Sequence, residues 1–561
     1  MFSPRITLFL LCCIGQQFGL PAALSEGLLY AAENAQAEDD DDVTRVFIFA
    51  GQSNMEGADS NINRVDSFPP FEGLGQEQSD VLFSYNLGRN DAYTSEGWVR
   101  LRSVNQWVGP ELSFVREIRK YVDSPIAIIK CAVGGTTLGE DWNPDQPGGF
   151  MLYPKALKLV RDSLAELTKR DIRFRVEGLM WHQGENDMFN DDYRASYGDH
   201  LSRFIQCWRR DLGVSDLRIY VGELHCKSVW GMDNRQRMYE LSQGQKAACG
   251  RDERVEYVPN NHNGMTIDQR TGLHYHFGTL GQLGHGMEYA KAYLSNINQA
   301  LPRRTPLKVW PHRPQQRVKL YILAGHRNME GERAFTAHLD GDPILADNHV
   351  VPFRYSIGGG VSVSDHWEAL GPAGFYETFG PELSFAHRLA AHDDSAIAIG
   401  KFTHSGSQIL DWTPEGSIAE DRNLYGKWIS FIKDCLRDLE GKGHDVELAG
   451  IVYHMGENDM CFYPYKKNAV ARLSSIIKQS RVDLNESELK WLVSSQQPFP
   501  NESLEQLDVA NELISVAEMD PHLQVLLLPE DFPLDRNLLM DAHGVKRLGE
   551  LLAKETLSLD Q

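Results

Sequence analysis

A serine that directly follows a buried strand is the first feature of this sequence with chemical potential. Ser53 lies in the turn Gly51–Met55 (GQSNM), which follows the apolar run Val46–Ala50. Ligand sites in parallel sheets lie beyond the carboxyl ends of the strands, where this turn would be. The hydroxyl can point into such a site, and the following backbone N–H groups can face a developing oxyanion. Because serine is a weak nucleophile, it needs a base from elsewhere in the chain.

Four short motifs accompany this serine and together resemble a known family. They are GQSNMEG (Gly51–Gly57), GPE (Gly109–Glu111), GGTTL with a following Trp (Gly134–Trp142) and WHQGEND (Trp181–Asp187). With a late His before a GQL-containing helix, they span residues 46–290. This stretch resembles the sialate O-acetylesterase-like carbohydrate esterases (carbohydrate esterase family 6 and relatives) of the SGNH hydrolase superfamily. The resemblance implies a flavodoxin-like three-layer fold, ester hydrolysis without metal or cofactor, and acetylated carbohydrate as the substrate.

The resemblance also implies roles for individual residues. Ser53 matches the nucleophile of the family. The N–H groups of Ser53 and Gly135 and the side chain of Gln183 match the oxyanion donors. Removal of one such donor typically raises the barrier by ~3 kcal/mol.

Two histidines in the segment Thr271–Ala290 (TGLHYHFGTLGQLGHGMEYA) are candidates for the base. They are two residues apart and share a face on an extended segment. The family signature, His-aromatic-x-Thr-x-Gly-Gln, fits His276 without a gap, whereas His274 needs a two-residue insertion. We therefore favour His276 as the base and keep His274 as the alternative.

The acid that orients this histidine is less constrained by the motifs. Many relatives carry Asp three residues before the His, but Thr271 and Leu273 occupy those positions here. Other relatives use the Glu of the WxQGE motif, because a carboxylate orients the imidazole and stabilises its cation. We therefore expect Glu185 to be the acid, with Asp187 second and Asp268 as a remote alternative.

The same motifs recur about 272 residues further along the chain, which indicates a duplication. Repeated pairs include GPELSF, identical in both copies, and WHQGENDM beside YHMGENDM. We predict a signal peptide, a first repeat, a Pro-rich linker and a second repeat at residues 1–37, 43–300, 301–317 and 318–558. Strands alternate with helical stretches in each repeat, which favours two tandem α/β domains of the SGNH type: three layers, α/β/α, around parallel central sheets.

The second repeat has lost the residues expected to do chemistry. Arg327 stands at the position of Ser53, Met455 at that of Gln183, and Leu539 at that of His276. We therefore predict a degenerate, non-catalytic domain. Two roles remain open: packing against the first repeat, or binding of sugar with Arg327 facing an anionic group.

Composition and charge narrow the class of protein. The chain has 561 residues, 42% hydrophobic residues and a formal charge of −22. The apolar content excludes disorder as the main state, and the acidity argues against a nucleic-acid partner. Residues 1–37 combine a basic start, a short apolar run and Ala35-Gln36-Ala37, the pattern of a cleaved export signal. We expect an exported serine esterase with no membrane span in the mature chain; the alternative is a non-catalytic glycan-binding protein built from two esterase-like domains.

Overall fold

The computed structural model describes residues 42–229, 232–266, 274–392, 396–460, 463–496, 508–535 and 537–559. The predicted signal peptide and Asp268 lie outside the described residues. Among the described residues, no helix has both the length and the apolar character needed to cross a membrane.

The first repeat forms a sheet of eight strands with helices around it. The strands are β1 (Thr44–Gly51), β2 (Gln78–Leu87), β3 (Tyr93–Thr94), β4 (Val99–Leu101), β5 (Ile126–Ala132), β6 (Phe174–His182), β7 (Ile219–Gly222) and β10 (Val255–Val258), with β8 (Ser228–Val229) and β9 (Met232–Asp233) as a separate ribbon. Their order in the sheet is β10-β7-β6-β1-β5-β2-β3, with β4 also beside β2. All pairs are parallel except those that β3 and β4 make with β2. The helices are α1 (Ser53–Glu56), α2 (Pro110–Ile118), α3 (Leu152–Lys169), α4 (Asp191–Leu212), α5 (Arg235–Gly250) and α6 (Gly278–Asn296).

The second repeat has the same topology. Its strands are β11 (Arg317–Gly325), β12 (Asn348–Ile357), β13 (Ser362–Val363), β14 (Glu368–Leu370), β15 (Ala396–Thr403), β16 (Asp445–His454), β17 (Trp491–Ser495) and β18 (Leu523–Leu527). Their order, β18-β17-β16-β11-β15-β12-β13 with β14 beside β12, matches that of the first repeat strand for strand. The helices are α7 (Arg327–Glu330), α8 (Glu382–His392), α9 (Tyr425–Gly441), α10 (Glu457–Met460), α11 (Tyr463–Lys466), α12 (Ala469–Asp483), α13 (Val509–Glu518) and α14 (Ala542–Leu559).

Each central strand is buried on both faces, which explains its unbroken apolar sequence. In β1, Val46, Ile48 and Ala50 face a core that includes α3, α4 and α5. Phe47 and Phe49 face a second core, on the other side of the sheet, that includes α2 and α6. The second repeat divides in the same way. The prediction of two tandem three-layer α/β/α domains is confirmed.

The parallel strands bring distant parts of the first repeat to one edge of the sheet. Ser53 follows β1, Gly134 follows β5 and Gln183 follows β6, and these three strands are neighbours. The turn after β1 is tight, since a Cβ on Gly51 would lie 2.0 Å from the carbonyl oxygen of His182. A glycine is therefore required where the chain leaves β1 for Ser53.

A buried ion pair explains why the GPE motif occurs in both repeats. The Lys130 Nζ on β5 donates to Glu111 Oε2 on α2 at 2.6 Å, and both side chains are almost fully buried. The corresponding pair in the second repeat, Lys401 and Glu382, is 2.9 Å apart and also buried. Since the pair ties a helix to the centre of the sheet, we assign this motif a structural role.

Loss of one partner of this pair should destabilise the first repeat. We expect Lys130→Met to lower the free energy of unfolding by ~3–5 kcal/mol, because Glu111 is left buried without its counter-charge. Urea unfolding measures the effect. The control Lys158→Met removes an exposed ion pair with Asp162 on α3 and should cost at most ~1 kcal/mol. Equal midpoints for the two variants would contradict a structural role.

Candidate active site

Ser53 begins the short helix α1 at the edge of the sheet. The residue is 7% exposed, so its hydroxyl is reachable but closely surrounded. Gly134 packs against it, since a Cβ on Gly134 would lie 3.3 Å from the Ser53 Cβ. As the first residue of the helix, Ser53 has an N–H with no acceptor inside the helix.

His276 and Asp59 complete a hydrogen-bonded chain with Ser53. The His276 Nε2 lies 3.0 Å from Ser53 Oγ, and its Nδ1 lies 2.6 Å from Asp59 Oδ2. For Nε2 to accept the serine proton, Nδ1 must carry its own proton and donate it to Asp59. The hydrogen bond from His276 holds the pKa of Asp59 below its ordinary value. A hydroxyl, an imidazole and an ionised carboxylate in this order can perform nucleophilic catalysis.

The side chain of Asn54 positions the peptide groups on both sides of His276. Its Nδ2 donates to the Tyr275 carbonyl oxygen, and its Oδ1 accepts from the Phe277 N–H, both at 3.3 Å. Asn54 is the residue after Ser53, so one short helix carries the serine and holds the histidine segment. The favoured base, His276, therefore lies beside Ser53.

The alternative base, His274, lies elsewhere. Its backbone pairs with Ser228, with N–H to carbonyl oxygen at 3.0 Å, and it is 1% exposed. Burial, together with the charge of the neighbouring Lys227, lowers the pKa of His274 well below the usual range. Neither ring nitrogen has a hydrogen-bond partner among the described residues. The structure does not bring His274 to Ser53.

The structure also corrects the expected partnership between Glu185 and the base. Glu185 Oε1 lies 2.9 Å from His182 Nε2 and accepts from Asn54 Nδ2 at 2.7 Å. Burial would raise its pKa, but the adjacent His182 and Asn54 hold the pKa below its ordinary value. Within the part of the chain that the structure describes, Glu185 makes no hydrogen bond with His276; it accepts from Asn54, which contacts the peptide groups beside His276. The sequence placed this carboxylate at the right edge of the sheet, but its partner is another histidine.

Asp187 and Gln183 bind each other, although Asp187 was the second candidate for the acid and Gln183 the expected oxyanion donor. Asp187 accepts from the N–H groups of Leu138 and Gly139 and from Gln183 Nε2. The Gln183 Nε2 also donates to the Thr136 carbonyl oxygen at 2.8 Å. The amide has two hydrogens, so both are committed to these acceptors. Burial raises the pKa of Asp187 to about 6. This arrangement corrects two expectations, since Gln183 has no donor free for an oxyanion and Asp187 does not orient the base.

The surroundings of Gly135 are more compatible with a role as oxyanion donor than those of Gln183. It is exposed and has a φ of +77°, a conformation that favours glycine. It follows Gly134, which packs on Ser53. The N–H groups of Ser53 and Gly135 stay the predicted oxyanion donors. Among the described residues, no group of three or more His, Cys, Asp or Glu side chains could hold a metal ion.

Asp59 lies at this candidate site through its contact with His276, although no sequence motif indicated it. It lies two residues beyond the GQSNMEG motif, with a φ of +59° in an irregular turn. Its side chain is 65% exposed, which is typical of an ordinary surface aspartate. The available signal was in the duplication: the residue two positions after the second GxxNMEG motif is Arg333.

The structure confirms that Leu539 stands where His276 does. In the second repeat, Asn328 Nδ2 donates to the Leu538 carbonyl oxygen at 2.8 Å, and Asn328 Oδ1 accepts from the Met540 N–H at 2.9 Å. These contacts flank Leu539 as those of Asn54 flank His276. The positions of Ser53, Asp59 and His276 are therefore occupied by Arg327, Arg333 and Leu539 in the second repeat.

Arg327 does not face an open cleft, contrary to one expectation for the second repeat. It is 2% exposed. Its Nε and Nη2 donate to the two carboxylate oxygens of Glu332 at 2.7 and 2.6 Å, and its Nη1 donates to the Met265 carbonyl oxygen of the first repeat at 3.1 Å. Because Arg327 is buried and each of its three side-chain nitrogens already donates a hydrogen bond, it does not offer an open site to an anionic sugar in this arrangement. The alternative expectation, packing against the first repeat, accounts for these contacts.

Comparison with known proteins places this geometry in a family. The sequence matches the family described as carbohydrate esterase, sialic acid-specific acetylesterase, over residues 43–295 and again over 317–558. A probable carbohydrate esterase of Arabidopsis thaliana is 27% identical over 268 residues, which are 45% of this chain and 91% of that protein. An X-ray structure of an Arabidopsis thaliana protein aligns at 21% identity and a TM-score of 0.34, covering 45% of this chain and 98% of that one. A carbohydrate acetylesterase from Xanthomonas citri aligns at 18% identity and a TM-score of 0.34, covering 46% and 58% of the two chains. The chain therefore belongs to the sialic acid-specific acetylesterase family of carbohydrate esterases, whose domain it contains twice.

Proposed function

We propose that this protein is an exported serine esterase that removes acetyl groups from carbohydrates. The observation that carries the proposal is the hydrogen-bonded chain from Ser53 Oγ through His276 to Asp59, with distances of 3.0 and 2.6 Å. The first repeat would perform the chemistry, because the second repeat lacks all three residues. Export rests on the signal-peptide pattern of residues 1–37.

The geometry supports a two-step reaction through an acetyl-enzyme. Ser53 Oγ attacks the acetyl carbonyl carbon while its proton passes to His276 Nε2. The bond between that carbon and the sugar oxygen then breaks, and His276 gives its proton to the departing sugar oxygen. Water attacks the acetyl-Ser53 ester, again losing a proton to His276. The bond between the acetyl carbon and Ser53 Oγ then breaks, the proton on His276 passes to Ser53 Oγ, and acetic acid leaves and ionises to acetate.

Two neighbouring groups would stabilise the charged intermediates. The Asp59 carboxylate accepts the Nδ1 proton and favours the cationic imidazole. The N–H groups of Ser53 and Gly135 would donate to the oxyanion, which is the largest single contribution in many acyl transfers. None of these steps uses a metal ion.

The surroundings of Ser53 favour a small acyl group. The serine is 7% exposed, and Gly134 packs against its Cβ. A long acyl chain would need an apolar groove beside the nucleophile, whereas an acetyl group needs little space. The related proteins named as carbohydrate esterases support sugar as the alcohol part of the ester. We include acetylated xylan and O-acetylated sialic acid among the substrates to be tested.

Acetate release from a panel of esters tests this proposal. We expect the protein without residues 1–37 to hydrolyse p-nitrophenyl acetate and at least one acetylated glycan, and to leave p-nitrophenyl palmitate intact. EDTA should leave the rate unchanged. Preference for the palmitate ester would indicate a lipid esterase. If the protein released acetate from none of the esters in the panel, the result would contradict the proposal and favour the non-catalytic glycan-binding alternative.

A further inference from the structure

The second repeat covers one particular segment of the first. Residues 259–266 follow β10 and lead towards His276, the proposed base. Within the first repeat, the Glu223 carboxylate holds this segment by accepting from the N–H groups of Asn260 and Asn261 at 3.0 Å. The other side of the segment lies against the edge of the second repeat that corresponds to the active-site edge of the first.

The first contact lies at the glycine that corresponds to Gly135. The Asn261 carbonyl oxygen approaches Gly406 so closely that a Cβ on Gly406 would lie 1.7 Å from it. Next to it, His404 Nε2 lies 2.9 Å from Asn261 Oδ1. The space that would receive a substrate oxyanion in an active domain is therefore filled by a backbone carbonyl of the first repeat.

The second contact lies at the former nucleophile position. Arg327 Nη1 donates to the Met265 carbonyl oxygen at 3.1 Å, and Glu332 holds the guanidinium in place through two hydrogen bonds. Glu332 also lies against the backbone of Gly264, where an added Cβ would be 2.1 Å from its Oε2. The Met265 side chain is 1% exposed. An arginine at this position therefore binds the segment that a serine could not reach.

The held segment in turn touches the beginning of α6. The Gly264 carbonyl oxygen would lie 2.9 Å from a Cβ on Gly281, and Thr266 Oγ1 would lie 2.2 Å from a Cβ on Gly278. Gly278 is the first residue of α6 and follows His276 by two positions. A displacement of residues 259–266 would therefore also move the beginning of α6, and with it His276, which lies two residues before the helix.

We propose that the degenerate cleft of the second repeat is a clamp that positions His276 for catalysis in the first repeat. The clamp consists of Arg327, His404 and Gly406, which act on Asn261 and Met265. These are positioning residues, since they act on His276 through the segment 259–266. The inference rests on the proposed function, because it takes His276 as the base.

Gly406→Ala in the full chain tests the clamp. The added Cβ must displace the Asn261 carbonyl, and a shift of about 1 Å in a catalytic group can lower the rate ~100-fold. We expect kcat for p-nitrophenyl acetate to fall by about this factor with KM nearly unchanged. Hydrogen exchange of the amides of residues 274–285 should become faster. The control is Gly426→Ala in α9, where a Cβ meets no atom within 4 Å; it should match the wild type in kcat and exchange.

A second variant covers the case in which Gly406→Ala does not fold. His404→Ala removes the hydrogen bond to Asn261 without adding volume, and we expect a smaller fall in kcat together with faster exchange in residues 274–285. The clamp would be overturned if both variants folded and kept the kcat and the hydrogen exchange of the wild type. If only His404→Ala folds, the same result in that variant is sufficient. Neither result would affect the esterase proposal. A different result is also informative: the wild type hydrolyses no ester, but the variants exchange faster in residues 274–285. That result would overturn the esterase proposal and still show that the second repeat holds residues 259–266.

Discussion

Ser53→Ala is expected to lower kcat for acetate release by ~10⁶-fold, close to the loss found when the nucleophile of a serine protease is removed. Of the three hydrogen-bonded side chains Ser53, His276 and Asp59, the Ser53 hydroxyl is the one that would form a covalent bond with the acetyl carbon. Thermal unfolding should change little, because the residue lies at the edge of the sheet and loses one hydrogen bond. Initial rates with p-nitrophenyl acetate and acetylated xylan measure the effect.

A matched control separates chemistry from general perturbation. Ser196 lies on α4, and its hydroxyl donates to the Asp192 carbonyl oxygen on the surface. Ser196→Ala should retain the wild-type kcat. If Ser53→Ala retained a rate within about tenfold of the wild type, the loss would be too small for a nucleophile, and a different group would have to attack the ester.

Asp59→Asn is the second substitution with a large expected effect. Amide in place of carboxylate removes the charge that stabilises the cationic imidazole and can hold the wrong tautomer of His276. We expect kcat to fall by ~10²- to 10⁴-fold, with the upper value known for buried triad aspartates and the lower value appropriate to a side chain that is 65% exposed. Because the side chain is exposed, the melting temperature should hardly change.

The comparison variant for Asp59 is Glu185→Gln, since Glu185 was the acid expected from sequence. Glu185 is fully buried between His182 and Asn54, so its replacement should lower the melting temperature more than Asp59→Asn does. Its effect on kcat should be the smaller of the two. The reverse order of kcat effects, with Glu185→Gln the more damaging at a melting temperature equal to that of the wild type, would assign the acid to Glu185.

The pH dependence of the Asp59 effect has a definite sign. The hydrogen bond from His276 lowers the pKa of Asp59 below its ordinary value of 3.8. The stabilisation from the ionised carboxylate is therefore complete above that value and is lost as the pH falls through the lower, folded-state pKa. The difference in kcat between the wild type and Asp59→Asn should therefore persist throughout the neutral pH range, which initial rates measured at several pH values would show.

The fold could be predicted because its signals are local and occur twice. A continuous apolar strand such as β1 is buried on both faces, and the same pattern returns in β11. The proximity of Ser53 and His276 could be predicted because each lies in a motif with a defined spacing. Each of these signals consists of residues that are close together in the sequence, so a comparison of short motifs detects it.

The contact of Asp59 with His276 and the contacts between the two repeats could not be predicted because they depend on the folded arrangement of distant segments. Asp59 meets His276 across 217 positions of sequence, from a turn with no periodic pattern. Glu185 looked suitable because it lies at the same edge of the sheet, but His182 is closer to it. The contact between Arg327 and Met265 joins two repeats, and no feature of either repeat alone encodes it. Arg327 therefore looked like an open anion site until its partners were known.

Covalent labelling with a fluorophosphonate, followed by peptide mapping by mass spectrometry, tests the central claim most directly. The reagent forms a stable adduct only with a serine that a base activates. We predict one adduct per chain, on the peptide that contains Ser53, with labelling that disappears in Ser53→Ala and slows strongly in His276→Ala. The peptides of the second repeat should stay unlabelled. An adduct on a serine of the second repeat, or an unlabelled Ser53 in a protein that releases acetate, would contradict the account.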